Sequence, residues 1–129
     1  RGRAKEKLED YQGAINDFTK VLEIDPDDDC SYEDRGRAKE KLEDYQGAID
    51  DYTKAIAISD YDDYYYYRGT AKYKLKDYQG AIDDYTKAIK KDPSIADYYY
   101  QRSIVKKQLG DNEGADEDNK KAEKLKNIS

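Results

Sequence analysis

Residues 1–20 read RGRAKEKLEDYQGAINDFTK and residues 35–54 read RGRAKEKLEDYQGAIDDYTK, so that only Asn16/Asp50 and Phe18/Tyr52 differ. A third copy, RGTAKYKLKDYQGAIDDYTK, occupies residues 68–87, and a weaker fourth runs over residues 102–121. The step is 34 residues from Gly2 to Gly36, 33 from Gly36 to Gly69 and 34 from Gly69 to Ser103, with Ala14, Ala48, Ala81 and Ala115 in register. The shorter step arises between Ile58 and Asp62, where one loop residue is missing. A chain that repeats itself at a fixed step is a stacked array rather than a single globule. The expected organisation is one elongated domain over residues 1–129: a partial first unit at 1–28, then units at 29–61, 62–95 and 96–129.

Composition narrows the function classes. Charged residues make up 42% and hydrophobic residues 36%, with a mean hydropathy of −1.27, values that a disordered segment could share. Fifteen tyrosines in a regular pattern argue for a folded core built from rings, Ala, Ile and the stems of Lys and Arg. A net charge of −6 and a pI near 4.8 disfavour nucleic acid, whose phosphates need a basic face. No apolar run reaches membrane-spanning length, and no segment reads as a signal peptide. Cys30 is the lone cysteine, which rules out an internal disulfide framework. With no initiating Met and a start inside a repeat, the chain is expected to be an excerpt of a longer protein.

Within each unit the apolar residues follow helical spacing. In the third, Tyr65, Gly69, Lys72 and Leu75 share one stripe, while Tyr78, Ala81, Ile82, Tyr85, Ala88 and Ile89 form another. This predicts a helix A over about 62–75 and a helix B over about 78–91. Asp10, Asp44, Asp77 and Asp111 stand at the junction, where a carboxylate caps the free amides of helix B. Pro26 and Pro93 follow helix B and stop it. Gly36 with Ala48, and Gly69 with Ala81, would let the paired helices approach closely. Gly13, Gly47, Gly80 and Gly114 fall in the first turn of helix B, where glycine costs about 1 kcal/mol relative to alanine and has no reason visible in the sequence beyond close backbone approach. Neither helix can hide its stripe alone, so successive pairs must stack into a curved array with helix A lining the hollow side.

These residues resemble the tetratricopeptide repeat (TPR). The period, the helix–turn–helix unit and the phrase DYQGAIDDYTKAI are similar to it, and the likeness covers nearly the whole chain. The third unit carries the pattern as Tyr65, Gly69, Ala81, Tyr85, Ala88 and Pro93; the second has Tyr32, Gly36, Ala48, Tyr52 and Ala55, with Asp60 in place of proline. The resemblance implies an all-α, right-handed superhelical solenoid of about 3.5–4 helix–turn–helix units. Two positions depart from the family: Arg1, Arg35, Arg68 and Arg102 replace its usual Leu, and Lys5, Lys39, Lys72 and Lys106 its usual Tyr. Each unit also carries an Asp in helix B (Asp17, Asp51, Asp84, Asp118), and each Arg is expected to pair with the Asp of its own unit.

The resemblance also locates a groove. In the first two units it implies Arg3, Lys7, Glu33, Arg37 and Lys41, with Glu6, Cys30 and Glu40 beside them. The third adds Tyr66, Thr70, Tyr73 and Lys74 beside Asp63, and the fourth Tyr100, Ile104 and Lys107 beside Asp97 and Gln108. Cations slightly outnumber carboxylates there, and the tyrosines offer rigid amphipathic area of the kind found at hot spots. The expected occupant is a protein or peptide segment with acidic and apolar side chains. One TPR subtype clamps a C-terminal carboxylate with Lys, Asn and Arg; the matching places here hold Glu33, Arg37, Tyr67, Asp97 and Gln101, so that mode is not expected.

The remaining features point away from chemistry. Asp25 and Asp27–Asp28–Asp29 lack the Gly and Glu of a calcium loop and read as a turn whose last Asp begins the next helix. Within the run Tyr64–Tyr67, Tyr65 is expected in the core, Tyr64 against the preceding unit and Tyr66 facing the groove. No histidine, paired nucleophile and base, phosphate loop or metal-ligand spacing is present, so no enzyme activity, cofactor or metal is expected. The fourth helix B, NEGADEDNKKAEKL, is polar enough to act as a cap, whereas the N-terminal end is open and is the expected place for self-association. The alternatives to partner capture are a structural scaffold stacking through that end, a regulatory arm of a catalytic domain outside the excerpt, or a consensus-like designed array without a native partner.

Overall fold

The computed structural model describes residues 2–128, with side chains over residues 10–127. Among the described residues there are seven helices and no strands: α1 (Gly2–Ile24), α2 (Asp29–Lys41), α3 (Tyr45–Ile58), α4 (Asp62–Lys74), α5 (Tyr78–Lys91), α6 (Ala96–Gln108) and α7 (Asn112–Ile128). The fold is an all-α helical repeat. Two compact units divide the chain, Arg1–Asp60 with α1–α3 and Tyr61–Ser129 with α4–α7. No described helix is long and apolar enough to cross a membrane.

The helix pairs α2/α3, α4/α5 and α6/α7 share one turn. In the second repeat Glu43 N–H donates to the Glu40 carbonyl at 2.9 Å and Asp44 N–H to the Lys39 carbonyl at 2.8 Å, which closes α2 in a Schellman motif. Asp44 then caps α3, its carboxylate accepting from Gly47 N–H at 3.1 Å. A single residue thus ends one helix and begins the next. It also accounts for the glycine: a Cβ on Gly47 would collide with the Asp44 carboxylate, and Gly80 and Gly114 stand in the same relation to Asp77 and Asp111. The motif needs a left-handed residue before the capping Asp. Gly110 (φ 85°) supplies it in the fourth repeat, but Glu43 (φ 63°) and Lys76 (φ 66°) do so in the second and third. Lys76→Gly is therefore expected to raise stability by about 0.5 to 1 kcal/mol, read as a higher urea midpoint at unchanged slope.

The cores are built from the residues that repeat. Ala48, Tyr52 and Ala55 in α3, and Ala81, Tyr85 and Ala88 in α5, are wholly buried. A Cβ on Gly36 would lie 2.7 Å from Tyr52 Cε1, and one on Gly69 2.9 Å from Tyr85 Cε1. The tyrosine ring, rather than the alanine expected to face it, fills the space each glycine leaves. In the fourth repeat both partners change. Ser103 replaces the glycine and Asn119 the tyrosine, with Ser103 Oγ 2.9 Å from Asn119 Oδ1 and 2.5 Å from the Tyr100 carbonyl. Its polar last helix still buries Ala115, Asp118 and Ala122 against α6, while Asp116 and Glu123 stay exposed.

Among the described residues Arg35, Arg68 and Arg102 each meet the expected carboxylate. Arg35 grips Asp51 through Nε at 2.9 Å and Nη2 at 2.7 Å; Arg68 grips Asp84 at 2.9 and 2.8 Å; Arg102 grips Asp118 at 2.8 and 2.7 Å. The lysines that replace the family's tyrosine complete each site, with Lys39, Lys72 and Lys106 Nζ 3.0 to 3.1 Å from the same carboxylates. Asp51 and Asp84 are 1% exposed, so a single negative charge is buried between two cations in every described copy. Hydrogen bonding to these carboxylates raises the guanidinium pKa values against the opposing effect of burial. Burial would raise the Asp118 carboxyl, but its bonds from Arg102 and Lys106 outweigh that and hold it below the ordinary value. In the first repeat Arg1 lies outside the described residues, and Asp17 is exposed rather than buried like its counterparts.

The first repeat departs from expectation. Where a junction with Asp10 as cap was expected, α1 runs unbroken from Gly2 to Ile24, and Asp10 is exposed in mid-helix. Residues 1–15 are identical to residues 35–49, which turn at Glu43, so local propensity cannot separate the two outcomes. The surroundings differ: in the second repeat Tyr52 OH donates to Glu40 Oε1 at 3.0 Å, which ties helix A to helix B. Phe18 replaces that tyrosine in the first repeat and has no hydroxyl to give.

Within the tyrosine run the phase differs by one residue. Tyr64 is 3% exposed, whereas Tyr65, expected in the core, is half-buried with Arg68 and Lys87 5.6 and 5.7 Å from its ring centroid. With Lys91 at 5.9 Å as well, the ring faces three cations and is better kept at the edge of the core than inside it.

Candidate functional site

In the second unit α4 and α6 carry the helix-A positions. Tyr66 is half-buried, its ring centroid 4.9 Å from that of Tyr98 and 5.6 Å from that of Tyr85. Burial raises the Tyr66 phenol pKa, with the Asp97 charge adding to it. Tyr98 in turn donates its hydroxyl between Asp62 and Asp63 at 2.5 and 2.9 Å, and burial together with these bonds pushes its pKa far up. Thr70 Oγ1 lies 2.9 Å from Tyr85 OH, and Tyr73 stacks beside Tyr78 at 5.7 Å. Tyr66 and Tyr73 are therefore as much core as surface: both press on Ala81, Tyr85 and Val105. Lys74, Tyr100 and Lys107 are exposed and Ile104 is half-buried. Tyr100 is 44% exposed, and Lys126 Nζ lies 5.6 Å from its ring centroid.

In the first unit α2 carries Glu33, Arg37 and Lys41. Arg37 Nη1 is 3.7 Å from Glu33 Oε2, a loose pair at (i, i+4). Burial and the neighbouring Asp34 charge raise the Glu33 carboxyl, and Arg37 opposes them. Burial also raises the Tyr52 phenol, with Glu40 adding to the effect. Arg37 and Lys41 further line a cleft of about 260 Å³ between α1 and α2, whose floor is Tyr11, Ala14, Phe18 and Ala38. The sequence pointed to an open N-terminal end but singled out none of these floor residues. The Arg3 and Lys7 side chains lie outside the described residues.

The acidic turn holds no surprise. Asp28, Asp29 and Cys30 place possible ligand atoms within 4.8 Å of one another, but Asp28 is occupied as the cap of α2, accepting from Ser31 N–H at 3.4 Å and Ser31 Oγ at 2.8 Å. Cys30 is exposed.

Two family models described as tetratricopeptide repeat match the chain, one over residues 1–63 and the other over residues 63–95. The chain belongs to the tetratricopeptide-repeat family. Among solved structures, "Crystal structure of MamA" superposes with a TM-score of 0.88 at 28% identity, covering 97% of this chain and 74% of that one. "MamA 41-end from Desulfovibrio magneticus RS-1" gives 0.88 at 25% identity over 99% and 73%. "Second TPR of Spaghetti (RPAP3) bound to HSP90 peptide SRMEEVD" gives 0.73 at 30% identity over 75% of this TPR chain and 91% of that structure. No curated protein matches the sequence. TPR repeats are in general non-catalytic modules for holding other proteins.

Proposed function

We propose that this chain is a non-catalytic TPR module that holds a partner peptide or protein segment on its helix-A faces. Within the unit of α4–α7 the contact residues would be Tyr66, Thr70, Tyr73 and Lys74 on α4 and Tyr100, Ile104 and Lys107 on α6; within the unit of α1–α3 they would be Glu33, Arg37 and Lys41 on α2, whereas Arg3 and Lys7, expected on a separate helix A, fall on the unbroken α1. The observation that carries this reading is Tyr100, a large ring left 44% exposed at a helix-A position beside Ile104 and Lys107. Aromatic side chains of this kind lose little entropy on contact and dominate binding energies. Capture of a peptide by the RPAP3 repeat supports the general mode. The terminal-carboxylate clamp is not the mode proposed here, because Glu33, Asp97 and Gln101 stand where its cations are needed, and Arg37 and Tyr67 where its asparagines are. An acidic segment with apolar anchors suits the exposed Arg37, Lys41, Lys74 and Lys107 better.

Because Tyr66 belongs to the core, the clean test uses exposed residues. Tyr100→Ala with Lys107→Ala is expected to weaken binding of acidic–apolar peptides, presented on an array and then titrated in solution, by about 30-fold. Circular dichroism and the mass by light scattering should stay unchanged. Undiminished binding would remove the groove from the reading, and a concentration-dependent mass would favour self-association.

A further inference from the structure

We infer that the face formed by α4 and α6 takes an amphipathic helix of a partner protein, laid antiparallel to both, with carboxylates in its first turn and Lys or Arg in its last. The inference rests on the proposed function and narrows the partner to one with a fixed order of charge. Two short turns through α5 make α4 and α6 run the same way. Their N-terminal ends meet where the Tyr98 hydroxyl reaches Asp62 and Asp63, while Tyr73, toward the other end of α4, packs on the cluster that includes Val105 of α6. Asp63 and Asp97 are exposed at the first end, and Lys74 and Lys107 at the other. Asp63 and Lys74 are eleven residues apart, which is about three turns and 16 Å along one line of α4. Between them lie the half-buried Tyr66, Thr70, Tyr73 and Ile104.

The helix dipole alone favours acids at the start of α4 and α6 and bases at their end. The hydrogen bonds show which of these charges the fold itself uses. Lys72 and Lys106 are held by Asp84 and Asp118 at 3.1 and 3.0 Å, and Asp77 and Asp111 in the following turns cap α5 and α7. Lys74 and Lys107 belong to neither arrangement. At the acidic end a phenol has one proton to give, yet two carboxylates converge on the Tyr98 hydroxyl at 2.5 and 2.9 Å. Acceptor capacity there exceeds what Tyr98 supplies, and Asp97 adds a further carboxylate. Lys126, 5.6 Å from the Tyr100 ring centroid, is a cation near this end, set against three carboxylates. An antiparallel helix answers both ends at once. Its own dipole favours acids in its first turn, against Lys74 and Lys107, and bases in its last, against Asp63 and Asp97. Residues eleven apart on such a helix share a face, and apolar residues between them meet the half-buried rings.

The probe is a fluorescein-labelled, stapled helical peptide of about fourteen residues, with Glu in its first turn, Leu along one face and Arg in its last turn. A second version carries Gln in place of Arg. Fluorescence anisotropy with the full chain should show saturable binding, about fivefold tighter for the Arg version. Asp63→Asn with Asp97→Asn should remove that advantage and leave the Gln version unaffected, whereas Lys74→Gln with Lys107→Gln should weaken both. A nitroxide on the peptide N-terminus should broaden the amide resonances of Lys74 and Lys107 and spare those of Asp63 and Asp97. Equal binding of the two versions would overturn the inference, as would equal losses of both in the Asp variant or broadening at the Asp63 end. So would undiminished binding of a version broken by prolines, in favour of an extended occupant. Binding that needs Tyr100 and Lys107 but ignores Asp63 and Asp97 overturns the inference and keeps the groove; flat anisotropy for every peptide overturns both.

Discussion

Arg68→Ala is expected to lower the unfolding free energy by about 3 kcal/mol, although the residue touches no ligand site. Asp84 is 1% exposed and takes two bonds from Arg68 and a 3.1 Å contact from Lys72. Removing the guanidinium leaves most of a carboxylate's hydrogen-bonding capacity unmet away from water, and this unpaired group, more than the lost attraction, carries the penalty. Chemical denaturation of the single variants and of Arg68→Ala/Asp84→Ala gives the decisive comparison. The double variant should be more stable than Arg68→Ala alone, because the buried carboxylate is gone and Lys72, whose side chain is 22% exposed, can turn its charge to solvent. If Arg68→Ala changes stability by less than about 0.5 kcal/mol, the pair behaves like a solvated surface bridge and its burial has no energetic meaning.

Tyr85→Asn should cost about 3 to 4 kcal/mol, since a fully buried ring gives way to a smaller polar group. Gly69→Ser alone should also destabilise, because the new Cβ would lie 2.9 Å from Tyr85 Cε1 and 3.2 Å from Asp84 Cβ. Together they recreate the Ser103–Asn119 arrangement of the fourth repeat, so the double variant should lose less than the sum of the singles by about 1 kcal/mol or more. Strict additivity would mean that the serine–asparagine pair depends on other features of α6 and α7.

Much of this architecture was legible because the chain reports it several times. The helix pair over 62–75 and 78–91 appears as Asp62–Lys74 and Tyr78–Lys91, and the Arg–Asp pairs could be expected from their joint recurrence in every unit. The lysine in each carboxylate site was not, since Lys39 and Lys72 look like solvated stems until the helices are docked. Nor was the reason for Gly47 and Gly80, which lies in the position of a neighbouring carboxylate rather than in any helix propensity. Four consecutive tyrosines leave the helical phase ambiguous by one residue, and the cations around Tyr65 resolved it outward. The straight first helix was beyond any local rule, because the same fifteen residues turn in the next repeat. The proposed contact residues divide between the compact units: Glu33, Arg37 and Lys41 belong to one, Tyr66 to Lys107 to the other.

Arg35 reaches sixteen positions downstream to Asp51 and sixteen upstream to Thr19, whose Oγ1 it meets at 3.2 Å; Arg102 does the same with Asp118 and Thr86. The anionic half of this clasp always travels inside its own module, and only a neutral hydroxyl is borrowed from the module before. Inserting or excising a whole module therefore leaves every such ion pair intact and changes, at this clasp, only one neutral contact. Such tolerance is what a genealogy of near-verbatim duplication requires, and it is written into the reach of one side chain.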